Sequence, residues 1–237
     1  MEVIEGLILK SVPYGERQSI VSLFTKQEGF MSMITSSNIE RRRGVLPFMQ
    51  RCEIEFLRNE RGGLHKLRSV AAVDKASAAN FNVEVCNYSM LWGNVLASLL
   101  REQGADKDMY DYICRAVELL NEYQGRYINL SILFLLRLSW FLGVKPNLDS
   151  YKKGMKFNIE TGEFVTASAV GGVCTGPNVA EVIYRFSVMD LDKMETLKID
   201  FNSFKIIVDT ILMYYERQFN VNFDKTGMRI IMEILGG

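Results

Sequence analysis

The 237-residue sequence holds a single histidine, His65. A Ser-His-Asp or Cys-His arrangement would have to use that one imidazole. No G-x-S-x-G segment accompanies it, and no Walker A loop is present to cradle a nucleotide. The acidic pairs Glu53/Glu55 and Asp190/Asp192 have a two-residue spacing that is common on strand and loop surfaces. No catalytic constellation emerges, and the expectation is a protein that is not an enzyme. Cysteine is also sparse. Cys52, Cys86, Cys114 and Cys174 lie far apart with no C-x-x-C, a pattern that suits neither a zinc site nor a redox pair and fits lone buried thiols. No metal or other cofactor is expected.

Long apolar runs are missing too. The most apolar window, residues 128–142, is too short to span a bilayer and contains Arg137. The amino terminus, Met1-Glu2-Val3-Ile4-Glu5, lacks the basic region and apolar core of an export signal, so a cytoplasmic location is expected. Internal repeats, low-complexity tracts and long linkers are absent. So is net charge: 28 Lys and Arg balance 28 Asp and Glu, which argues against indiscriminate polyanion binding. The balance is uneven along the chain, however. Residues 1–80 carry 12 basic against 9 acidic side chains, and residues 81–237 carry 16 against 19. Any polyanion contact is therefore expected in the first third.

That first third is β-rich. Leu7 to Val12 runs into a Pro13-Tyr14-Gly15-Glu16 turn, Ser19 to Thr25 into a Glu28-Gly29 turn, and Phe30 to Ile34 completes a meander. The basic run Arg41-Arg42-Arg43 follows, then Leu46-Pro47-Phe48, the run Cys52 to Leu57, an Arg61-Gly62-Gly63 turn and Leu64 to Val70. About five strands in this length fit a small barrel, either of the oligonucleotide/oligosaccharide-binding (OB) type or SH3-like. From about Ala76 the period changes to helical. Val85, Tyr88, Trp92, Val95, Leu96 and Leu99 mark one helix, and Tyr112, Ile113, Ala116, Leu119, Leu120 and Tyr123 a second. A third helix, apolar nearly all round, runs from about Asn129 to Leu142 and stops at Gly143. Residues 150–175 read as a β-hairpin, and helices follow near Val179–Phe186, Phe201–Phe219 and Met228–Leu235. The expected class is α+β, with a barrel over residues 1–78 and a mostly helical domain over residues 79–237 that carries the hairpin insert.

The order of strand, Pro-Tyr-Gly-Glu, strand ending Phe-Thr, Glu-x-Gly, strand, basic loop, Leu-x-Pro-Phe and strand resembles the amino-terminal domain of the RecO family of bacterial recombination mediators. Phe134 to Leu148, with its Leu142-Gly143-Val144-Lys145-Pro146-Asn147-Leu148 ending, resembles that family's central helix, and Tyr214 to Leu235 its closing helices. The resemblance selects the OB barrel. It implies binding of single- and double-stranded DNA, strand annealing, and cooperation with RecR in loading RecA at gaps. It also implies contact with the acidic carboxyl-terminal tail of single-stranded-DNA-binding protein (SSB). In many relatives two Cys-x-x-Cys pairs around the hairpin hold zinc. Here Tyr151 and Gly154 stand at the first pair and Cys174 alone remains near the second, so no zinc is expected and Phe157 and Phe164 are expected to pack the hairpin.

Candidate DNA contacts are Arg41, Arg42 and Arg43, with Lys10, Arg17, Lys26, Arg51, Lys66 and Arg68 as further cations. Each is equally readable as a solvated surface charge. Guanidinium groups suit phosphates and carry no base code by themselves. Tyr14 either stacks on a base or packs on its own turn beside Pro13. In RecO relatives the central helix often begins with paired arginines before Phe-Glu-Leu, and the SSB tail needs an apolar pocket rimmed by cations. The matching stretch here is Ile132-Leu133-Phe134-Leu135-Leu136, which leaves Arg126 or Arg137 beside Phe134 as the candidate receptor. The competing readings are a protein-interaction module that uses the barrel without DNA contact, and an OB-fold binder of another polyanion such as RNA.

Overall fold

The computed structural model describes residues 1–36, 48–73, 82–168 and 171–236. Arg41, Arg42 and Arg43 lie outside the described residues. The chain divides into two compact units, Met1–Glu122 and Tyr123–Gly237.

In the first unit, strands β1 (Glu2–Tyr14), β2 (Gln18–Thr25), β3 (Gly29–Ser36), β4 (Arg51–Leu57) and β5 (His65–Ala72) close into a barrel in the order β1-β2-β3-β5-β4. Every pairing is antiparallel except β3 with β5, where Met33 faces His65 and Ile34 faces Lys66 in parallel register. This order, with its short parallel seam, is that of the OB fold. It decides between the two small barrels that hydrophobic alternation leaves open. Alternate residues fill the interior, among them Ile4 and Ile8 of β1, Val21 and Leu23 of β2, Met31 and Met33 of β3 and Phe56 of β4.

Among the described residues two helices complete this unit, α1 (Val83–Leu99) and α2 (Lys107–Glu122). The Asn82 side chain caps α1 by accepting from the Glu84 and Val85 backbone N–H groups at 2.9 and 3.4 Å. The Asp106 carboxylate accepts from the Met109 N–H at 2.9 Å and caps α2. On α2 the buried stripe is Met109, Tyr110, Ile113, Cys114, Val117 and Leu120. The expected stripe is thus displaced: Tyr112, Ala116 and Leu119 are only half-buried, because Met109 and Tyr110 set the inward face one turn earlier. Among the described residues, strand gives way to helix between Ala72 of β5 and Val83 of α1. The division into compact units instead falls after α2, since α1 lies across β1.

The second unit centres on α3 (Tyr127–Phe141), with an unbroken buried run from Asn129 to Leu136. Helices α4 (Pro177–Val188) and α5 (Phe201–Phe219) pack on it, and α6 (Lys225–Gly236) follows. The expected stripe of α5, from Phe204 to Tyr215, is buried. Between α3 and α4, β6 (Lys156–Phe157) pairs with β7 (Phe164–Val165) as a short hairpin. The Phe157 and Phe164 rings lie 5.2 Å apart, as expected of a hairpin held by packing. Tyr151 stacks on Tyr184 at 3.9 Å and meets Phe164 edge-on at 5.0 Å. Gly162 turns the hairpin at φ 71°, and a Cβ there would sit 2.7 Å from the Tyr214 hydroxyl. Among the described residues no three His, Cys, Asp or Glu side chains converge as metal ligands. The donors around the hairpin do not fit the family's zinc, since a tyrosine ring and a glycine replace two thiolates.

Two measurements check this packing. A Cβ on Gly93 of α1 would fall 2.3 Å from the Leu9 carbonyl oxygen. Gly93→Ala should therefore destabilise the protein by about 1–3 kcal/mol in a denaturant titration, although alanine normally favours a helix by about 1 kcal/mol. A stabilised variant would show that α1 does not rest on β1. For the hairpin, Phe157→Ala should cost about 3–5 kcal/mol, while a chelator should leave the melting temperature of the wild type unmoved. A chelator-induced drop would place a structural metal in this unit.

Candidate nucleic-acid interface

The outer surface of β1 changes character at one point. Ile8 pairs with Leu23 and faces the barrel interior, but the next paired residue is Lys10, opposite Ser22. Leu9 is bulged out of register. Such a bulge places two consecutive side chains on the same face. Leu7 and Leu9 are both fully buried outside the barrel, Leu9 where its backbone meets Gly93 of α1. Lys10, Val12 and Tyr14 follow them on the same outer surface, beyond the cover. Without the bulge, Lys10 would point into the apolar core.

Cross-strand register carries this uncovered face round the barrel. Lys10, Ser22 and Ser32 form one row across β1, β2 and β3. Val12, Ile20, Ile34 and Lys66 form the next and reach β5 through the parallel seam. Tyr14, Gln18 and Ser36 form the third. Val12 is 45% and Tyr14 54% exposed. A second bulge in β5, opposite Glu55 and Phe56, leaves Arg68 unpaired and exposed beside Lys66. Arg17 sits exposed in the β1–β2 turn at the rim. The structure thus brings Lys10, Lys66 and Arg68 to one wall with Arg17 at its edge, and none of the four forms an ion pair with a described carboxylate. Strand alternation carried through both bulges is the signal that would have found Val12, Ile20 and Ile34 between them.

Two other barrel cations are turned to structural ends. Lys26, in the β2–β3 turn, pairs with Asp111 of α2 at 3.1 Å. Arg58, just after β4, binds Glu2 through Nε at 2.8 Å and Nη2 at 2.6 Å, and Glu28 through Nη1 at 3.0 Å. Arg51 is half-buried at the start of β4, where its charge acts on the Cys114 thiol. Burial dominates there and pushes that thiol up to about 11. The remaining wall of the barrel is acidic. Glu5 faces Glu53 across β1 and β4, and Glu55 follows beside Val3. The Tyr110 hydroxyl donates to Glu5 at 3.3 Å and the Ser69 hydroxyl to Glu55 at 3.0 Å. Charge on the barrel is therefore sided.

In the second unit Arg126 stands at the start of α3, and its Nη2 donates to the Ile199 carbonyl. Its backbone N–H donates to Glu195 at 3.1 Å. Arg137 is half-buried and donates through Nη2 to the Met189 carbonyl at 3.0 Å. It also adds to the pull, led by Lys193, that holds the Asp190 carboxyl below its usual range. Phe134 is 2% exposed. This corrects the expectation that it lines a peptide receptor: on a helix buried on nearly every side, its ring belongs to the core.

Comparison with known proteins agrees with this architecture. Residues 1–76 match the family model described as Recombination protein O N terminal, and residues 87–226 the one described as Recombination protein O C terminal. The DNA repair protein RecO of Christiangramia forsetii is 22% identical over 237 residues, 98% of each chain. That of Azobacteroides pseudotrichonymphae is 23% identical over 216 residues, 89% of each. That of Phocaeicola vulgatus is 24% identical over 193 residues, 80% of each. With an OB barrel followed by a helical unit, and both halves of the family matched in order along nearly the whole chain, this protein belongs to the RecO family of DNA repair proteins.

Proposed function

We propose that this protein is a recombination mediator without chemistry of its own. In this reading it binds single- and double-stranded DNA, anneals complementary strands and, with RecR, helps to load RecA onto SSB-coated DNA. The observation that carries the proposal is the uncovered barrel wall from Lys10 to Lys66 and Arg68. Three strand spacings separate Lys10 from Lys66, about 14 Å across the sheet, so the cations flank a strip rather than crowd one point. Ammonium and guanidinium groups there hold phosphates without reading bases. The exposed Tyr14 ring offers a base a stacking surface. Arg41, Arg42 and Arg43, between β3 and β4 in the sequence, add three guanidiniums to the same half of the chain. Family membership supports the reading, and the acidic residues Glu5, Glu53 and Glu55 on β1 and β4 border the cationic strip and set its edge.

A second reading rests on the middle of the same wall, where Val12, Ile20 and Ile34 are aliphatic and would suit a docked protein. Salt separates the two. Each phosphate contact released makes the log-log salt dependence of single-strand binding shallower by about 0.7. The double variant Lys10→Ala/Lys66→Ala should weaken binding and flatten the slope accordingly. Replacing Arg41, Arg42 and Arg43 together should flatten it further. Lys26→Ala, already neutralised by Asp111, should leave the slope unchanged. Unaltered slopes in all three would assign the wall to a protein partner.

Tail recognition is tested separately. An acidic tail ending in an apolar group needs cations beside an apolar recess, and Arg126 and Arg137 are the cations of this unit that the sequence match leaves for the role. Titrating a labelled SSB-tail peptide should show a loss of about 1.5–3 kcal/mol for Arg126→Ala or Arg137→Ala. Tight binding by wild type and both variants alike moves the receptor elsewhere. No binding by wild type removes this partner from the proposal.

A further inference from the structure

Between α5 and α6 lies an open cleft of about 470 Å3. Its floor is apolar: Leu212 and Met213 of α5, Phe223 of the connection, and Met228 and Met232 of α6. Methionine is unbranched and polarizable, so a methionine-rich floor adapts to side chains of differing shape. The rim is charged, and its charges are not equivalent. Arg229 and Glu233 engage each other at 3.8 Å, and Glu216 accepts the Phe223 backbone N–H at 3.3 Å. Asp209 accepts no hydrogen bond from a described residue. Desolvation in the cleft holds its carboxyl above the usual range, against the pull of Lys205 one turn away. With three carboxylates to two cations, the rim as a whole favours a basic visitor.

The apolar surface also outruns the cleft. Ile206 is 56% and Met213 40% exposed. They lie seven residues apart on one face of α5, about 10 Å along the axis. That length exceeds what a small ligand covers and matches the i, i+3, i+4, i+7 anchors of a docked helix.

We propose that this cleft is the docking groove for a basic amphipathic helix of a partner protein, its apolar face seated on Met213, Met228 and Met232 and one Lys or Arg paired with Asp209. The required charge is opposite to that of an acidic tail, so the proposal stands apart from the reading given above.

The probe is a fluorescein-labelled 14-residue helical peptide with leucines at i, i+3, i+4 and i+7 and lysines on its polar face. Its twin carries glutamates in place of the lysines. Titrated with the full chain, the lysine peptide should bind saturably and the glutamate twin at least about tenfold more weakly. Asp209→Asn should lower the lysine peptide's affinity about tenfold, the loss of one charge-assisted contact. Met213→Gln, at a half-exposed position, should weaken both peptides without moving the melting temperature. Equal binding of the two peptides overturns the proposal, as does wild-type affinity in both variants. Displacement of the peptide by octylamine at a similar concentration also overturns it, by making the cleft a small-molecule site.

Discussion

The contact between the Leu9 backbone and Gly93 organises the barrel unit. A glycine at that point of α1 lets helix and strand approach until no Cβ would fit, and the side chain of the bulged Leu9 is buried. Leu7 and Leu9 are thereby buried outside the barrel while Ile8 remains within it. Beyond the bulge the parity of β1 is reset, and Lys10, Val12 and Tyr14 emerge on the face that the helix leaves uncovered. One packing constraint thus closes part of the barrel wall and frees the rest. The freed part is continuous because β2, β3 and β5 pair in register with it.

Electrostatics follow from the same division. A chain of zero net charge has no long-range pull on a polyanion, so any attraction must arise from segregation. Lys26 and Arg58 are held by carboxylates, which removes them from the set of free cations and fastens the β2–β3 turn to α2 and to the start of β1. Lys10, Lys66, Arg68 and Arg17 remain on one side, and the Glu5, Glu53, Glu55 row lies on another. With a Debye length of about 8 Å at physiological salt, a phosphate near Lys66 senses Lys66 and Arg68 directly and, on the adjacent strand β4, Glu55, which stands two residues from Leu57, the partner of Lys66. Local arrangement outweighs the balanced total.

Several elements were legible because one periodicity determined them. The three meander strands, the apolar α3 and the stripe of α5 each repeat a single pattern, and the structure places them as that pattern requires. The stripe of α2 was not legible. Its tyrosines and leucines are apolar on two sides, and only the capping Asp106 and the burial of Met109 and Tyr110 fix which side turns inward. The candidate site was half legible. Its cations could be named from composition, but ranking them required partners distant in sequence, such as Asp111 for Lys26, 85 residues away. Phe134 was misplaced for a related reason. Its role was carried over from a motif whose arginines this chain lacks, and on a helix this apolar the ring has only the core to face.

The hairpin of the second unit is too short to stand by itself and depends on how it is fastened. Two strands of two residues each cannot hold themselves together in water, so something must fix them to the helices. A structural zinc would do so with about 10–16 kcal/mol of binding free energy that vanishes when the metal is removed. Here Tyr151 stacks on Tyr184 of α4 and abuts Phe164 of β7, while Phe157 of β6 meets Tyr214 of α5 at 5.4 Å. The Tyr214 hydroxyl donates to the Val144 carbonyl at 2.7 Å. Aromatic contacts of this kind contribute about 0.5–1.5 kcal/mol each beyond the burial of the rings. Several together hold two short strands against α4 and α5.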